Sequence, residues 1–190
     1  MRALDLAVVT LGTASFVGAA HAAAQPIASF ATGIAHPLGG VDHILAMVTV
    51  GAWGVLAGGR ALWAWPAVFV ATMLTGFVAA TLGVQLPWVS AAVSSSIIVL
   101  GLMVALAVKA PVWLGAALVG LFALFHGHAH GTEVVAASLI AYGAGFALAT
   151  AGLHAAGIGL ALTAEAWLGK RAVQGVGAFT VLGGLALIGG

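Results

Sequence analysis

Two short segments concentrate the residue types that hold metal ions. Residues 36–43 read HPLGGVDH, and residues 125–133 read FHGHAHGTE. In the first, His36 and His43 are seven positions apart, two helical turns, so on an unbroken helix they share nearly one face, with Met47 one turn further. Pro37, Gly39 and Gly40 lie between the two histidines and suggest an interrupted helix instead. Such a break exposes backbone carbonyls and half-helix ends, a construction that suits ion sites. Asp42 offers either an oxygen ligand or an acceptor for an imidazole N–H. In the second segment His126, His130 and Glu133 fall at i, i+4 and i+7, again one face, while His128 points away from them on a regular helix. Imidazole with carboxylate and no thiolate suits divalent nickel, cobalt, zinc or copper.

The elements that must carry these groups are membrane helices. The chain has 190 residues, of which 63% are hydrophobic and 5% charged, too few charges to solvate a water-facing surface. Its apolar runs continue for about 20 residues without period-2 alternation, so helices rather than a barrel are expected. With no cysteine, disulfides, thiolate metal sites and iron–sulfur clusters are excluded. A net charge of +1 implies no nucleic-acid partner. The expected fold is therefore all-α, a polytopic bundle with the lipid bilayer as its solvent.

Residues 1–22 read as a secretory signal: Arg2, an apolar core from Leu6 to Ala20, and an A-x-A cleavage site at Ala20-His21-Ala22. An uncleaved first helix is the alternative, giving seven hydrophobic segments in place of six. Cleavage after Ala20 would make His21 the amino terminus; otherwise His21 leaves with the signal. The remainder, 23–190, forms one domain with six spans near 27–57, 63–83, 88–108, 112–130, 133–165 and 171–189. The first and fifth exceed what a bilayer needs, so a tilt or break is expected, with Pro37 the natural break in the first. Arg60, Pro87, Pro111, Gly131 and Lys170 mark the turns. Gly54 and Gly58 stand at GxxxG spacing for close helix packing. If the mature amino end is periplasmic, Arg60, Lys109, Lys170 and Arg171 all fall in cytoplasmic loops, as the positive-inside rule requires of an inner-membrane protein.

Ionisable groups within a bilayer cost about 2.5–3.5 kcal/mol each at mid-depth on insertion scales, so the two clusters call for a compensating partner. Both lie toward the same side of the membrane in this topology and can converge. His154, alone in the fifth span, reads equally as a ligand or as an interhelical hydrogen-bonder. His128 reads as a solvated loop residue, with a ligand role the weaker alternative. Ser94, Ser95 and Ser96 read as bonded to the preceding helical turn.

The segment HPLGGVDHILAMVTVG, residues 36–51, closely resembles the signature of the HupE/UreJ family of nickel and cobalt permeases. The resemblance extends to FHGHAHGTE and to AYGAGFALATAGLH at 141–154, and covers essentially the whole mature chain. It implies secondary uptake of nickel, or cobalt, for hydrogenase or urease assembly, without an ATPase subunit, a prosthetic group or an enzymatic activity. It also implies that His36, Asp42, His43, His130 and Glu133 are functional, with Phe69 a further candidate whose alternative is plain packing. Three residues after the proline that opens the third span, the family pattern usually has a glutamate. Here Pro87, Ser96 and Gly101 match, but that position is Ser90, which supplies no negative charge and remains a weaker candidate through an oxygen contact of its hydroxyl.

On this reading a metal ion meets His126, His130 and Glu133 at the outer mouth and passes toward His36, Asp42 and His43. Imidazole must be neutral to bind, so uptake is expected to weaken as pH falls through the histidine range. The rival reading is an intramembrane metal-dependent hydrolase with metal-bound water as nucleophile, although no HExxH is present. A haem-binding electron carrier is a third class, but its axial histidines would need to face one another at mid-membrane. The sequence leaves association into a homo-oligomer open.

Overall fold

The computed structural model describes residues 24–189. The signal segment at 1–22, with His21, lies outside the described residues. Among those described, every regular element is a helix: α1 (Ala24–Gly39), α2 (Val41–Ala57), α3 (Ala61–Thr81), α4 (Val89–Ala105), α5 (Val112–Glu133), α6 (Leu139–Leu168) and α7 (Lys170–Gly189). In α3, α5, α6 and α7 length and hydropathy suffice to cross a membrane, and α1 with α2 adds a fifth span if the pair is counted as one. The chain is a multi-pass helical membrane protein.

Several boundaries differ from those expected. The segment 27–57 is not one helix: α1 and α2 meet at 81°. The break falls at Gly40, in an extended conformation (φ −103°, ψ 117°), rather than at Pro37, which costs the last turn of α1 one backbone hydrogen bond without ending the helix. Gly131 is not a turn; it lies buried within α5, which runs on to Glu133 before an extended stretch leads to α6. The long fifth segment is a single 30-residue helix. Gly58 ends α2 with φ +70°, and a Cβ there would meet nothing within 4 Å, so the Gly54–Gly58 pair is not a packing motif.

Close approach comes instead from glycines paired across helices. Gly76 of α3 faces the α5 backbone at Leu124, and Gly127 of α5 faces the α3 backbone at Met73. The same reciprocity joins Gly51 and Gly157 between α2 and α6, Gly101 and Gly177 between α4 and α7, and Gly33 and Gly145 between α1 and α6. A Cβ at any of these would strike a partner's backbone, so glycine is what brings the helices into van der Waals contact where lipid supplies no hydrophobic drive.

Two ends of the bundle follow from this packing. Gly40, the α3–α4 connection and Glu133 mark a histidine end; Arg60, Lys109, Lys170 and Arg171 mark a basic end. Near the basic end the Trp53 and Trp65 rings pack 4.2 Å apart, and each indole N–H donates to a carbonyl flanking the α4–α5 connection, Val108 and Val112, at 2.9 Å. Burying indoles so deeply is tolerated because their one polar group is bonded.

Candidate metal site

Gly40 decides how the site is built. Its lack of a side chain leaves room for the Asp42 carboxylate and the His43 ring, which a Cβ at position 40 would meet at 2.6 and 2.7 Å. Asp42 stands in the first turn of α2, where the helix dipole favours a negative charge. Its Oδ1 lies 2.7 Å from His43 Nδ1, so the imidazole N–H donates to the carboxylate and Nε2 carries the lone pair. That nitrogen faces Nε2 of His130 from α5 at 2.6 Å. Two imidazole nitrogens so close compete for one proton: His130 donates to His43, and its buried Nδ1 is left without a partner.

His36, on the far side of the helix break, brings its ring edge-on to His130 with centroids 4.5 Å apart. His36 and His43 therefore reach His130 from two helices, not from one helical face. His36, His130 and Glu133 each offer a ligand atom, all within 4.8 Å of one another. These residues, with Asp42, His43, Ser90 and Ser94, line a cavity of about 630 Å³ at the histidine end. Glu133 and Ser90 are exposed on it, whereas His43 and His130 are buried.

The other candidates lie outside the cavity lining. His126, fully buried one turn below His130, meets the His43 ring edge-on with centroids 5.1 Å apart. Its Nε2 lies 2.9 Å from the Ser96 hydroxyl, which itself donates to the Val93 carbonyl at 2.6 Å, so Ser96 does more than bond to its own helix. His128 is buried rather than solvated, its Nε2 2.8 Å from the Val84 carbonyl in the α3–α4 connection. His154 is buried in α6, with Nδ1 2.8 Å from the Met47 carbonyl of α2. Phe69 stands beside two of them, its ring centroid 5.8 Å from that of His126 and 4.9 Å from that of His154.

Two aromatic residues that sequence reasoning passed over support the cluster. Phe146 packs against His130 at 4.4 Å, and Tyr142 lies 6.1 Å from His36 while stacking on Phe77. Tyr142 is the chain's single tyrosine, and both occur within residues 141–154, which was the available signal.

The chain matches the family model described as HupE / UreJ protein over residues 8–187. It is similar to a protein of Rhizobium leguminosarum bv. viciae named Protein HupE, with 44% identity over 157 residues, 82% of each chain. Among solved structures none matches.

Proposed function

Because the chain belongs to the HupE/UreJ family, we propose that it is a secondary carrier of divalent nickel, or cobalt, across the bacterial inner membrane, serving hydrogenase or urease maturation. One observation carries this reading: three imidazoles and two carboxylates from α1, α2 and α5 meet around one cavity in a chain that is 63% hydrophobic. Groups so costly to desolvate are retained where a cation compensates them. Asp42 and Glu133 attract the hydrated ion, and His36, His43 and His130 replace its water. The Asp42 carboxylate holds His43 in the tautomer that presents Nε2 and makes that nitrogen a better donor. A set mixing neutral nitrogen with two carboxylates binds firmly enough to strip water yet weakly enough to release.

On this reading the membrane is crossed six times, counting α1–α2 as one broken span and the 17-residue α4 as a short one. The histidine end faces the periplasm and the basic end the cytoplasm, in keeping with the positions of Arg60, Lys109, Lys170 and Arg171. No ATPase subunit takes part. Accumulation of radioactive nickel in cells making the wild type, but not in cells making equal amounts of His43→Ala, is the expected result. Equal accumulation in both would remove the α2 histidine from the path and the proposal with it.

A further inference from the structure

Besides His130 at the mouth, hydrogen bonding leaves three buried histidines half satisfied: His128, turned toward the α3–α4 connection, and, deeper, His126 and His154. A neutral imidazole has one N–H and one lone pair, and the partner of the first fixes the place of the second. At His154 the Met47 carbonyl can only accept, so Nδ1 carries the proton and Nε2 the lone pair. That Nε2 is buried without a hydrogen-bond partner, in a residue 1% exposed. His126 shows the mirror arrangement. The Ser96 hydroxyl gives its proton to Val93 and receives one from His126 Nε2, so the lone pair sits on Nδ1, also buried and unpartnered. Buried polar atoms are nearly always paired, and each exception calls for a reason.

An imidazole that donates one N–H to a backbone carbonyl and keeps the other nitrogen bare is in the form in which histidine ligates metals. Phe69, fully buried, packs against the rings of both His126 and His154. His154 lies on the inward face of α6, one turn below Thr150, whose hydroxyl donates to the Met73 thioether, and two turns below Phe146, which packs on His130. The donors below the mouth are thus neutral: imidazole, hydroxyl and thioether, with no carboxylate beside them.

We propose that His154 Nε2 is a second, deeper coordination position for the transported cation, entered from His126 past the ring of Phe69. The inference rests on the carrier reading above and adds a step to it. At the mouth, carboxylates lower the cost of dehydration; deeper in, neutral donors hold the bare ion without a charge strong enough to trap it. Phe69, in ring contact with both histidines, lines this step.

Two substitutions divide a ligand from a mere helix tie. His154→Asn retains an N–H in the place of Nδ1 for the Met47 carbonyl and deletes the donor at Nε2. His154→Gln retains a polar atom near Nε2 and gives up the Met47 bond. Nickel titration of purified protein reports the mouth, and initial rates of nickel uptake report the whole path. The Asn variant is expected to bind nickel at the mouth as the wild type does while its maximal uptake rate falls at least tenfold, and the Gln variant to retain more uptake than Asn. Wild-type uptake by His154→Asn overturns the proposal, as does a Gln variant poorer than Asn. A wild type that takes up no nickel would instead refute the carrier reading. If neither variant folds, nickel-edge anomalous scattering from nickel-soaked wild-type crystals decides. Density beside His154 Nε2 supports the deeper position, and density at the mouth alone overturns it.

Discussion

Asp42 touches His43 at 2.7 Å and stands in the first turn of α2, so on the carrier reading it is expected to act on the metal ion through that imidazole as well as through its own charge. Asp42→Asn separates the two. The amide oxygen can still accept from Nδ1–H, but the negative charge that strengthens Nε2 as a donor is gone. Replacing such an outer partner typically lowers metal affinity about 10–100-fold. A loss in that range, read by nickel titration with an unchanged melting temperature, is expected; undiminished affinity would mean that Asp42 only shapes the helix start. Ser90 is the complementary case. It is exposed on the cavity wall that carries Asp42 and Glu133, so Ser90→Glu places a third carboxylate at the mouth. Uptake at limiting nickel should rise several-fold in that variant, and a fall would show that added charge traps the ion rather than gathers it.

At the scale of the element the break between α1 and α2 matters most. Gly39 has no neighbour within 4 Å of a built Cβ, whereas a Cβ on Gly40 meets both Asp42 and His43. Gly40 has an extended backbone that alanine adopts without strain, so Gly40→Ala should fold, displace the Asp42–His43 pair and cut nickel uptake by about tenfold or more, within the range expected for losing such a partner. Gly39→Ala should transport as the wild type does; if the two variants behave alike, the crowding at position 40 has no functional weight. An interruption was legible in Pro37, Gly39 and Gly40, but not its place or its 81° angle, because those depend on α1 docking on α6 through Gly33 and Gly145, a contact more than a hundred residues apart. The interruption also removes the shared face that an unbroken helix would have given His36 and His43: they meet at His130 from separate helices. The spacing of His130 and Glu133 was readable because α5 is regular there. His154 was not, since a single polar residue on an apolar helix gives no sign of what its second nitrogen faces.

Over the whole molecule the charges divide. Of the three carboxylates among the described residues, Asp42 and Glu133 stand at the histidine end and Glu165 pairs with Lys170 at 3.9 Å near the other. All four described basic residues lie at the basic end, which the Trp53–Trp65 pair helps to close by gripping the α4–α5 connection. The molecule holds a cavity where its acids and imidazoles are, and the paired indoles pack at the end where its cations are. On the carrier reading proposed above, with the basic loops cytoplasmic, this arrangement is expected to expose the cavity to the periplasm and shield it from the cytoplasm. The chain has no cysteine, so single introduced thiols report access without background. Ser94 lines the cavity and Ala110 lies in the connection at the basic end. In intact cells a membrane-impermeant maleimide should label Ser94→Cys, and nickel should slow that labelling by occupying the cavity. Ala110→Cys should react only in inverted vesicles, where nickel outside should leave its rate unchanged. Labelling of Ala110→Cys from the periplasm would reverse the orientation drawn from the basic loops. Labelling of Ser94→Cys that ignores nickel would separate the cavity from the ion altogether, because an ion held among His36, His130 and Glu133 shares the same space as that thiol.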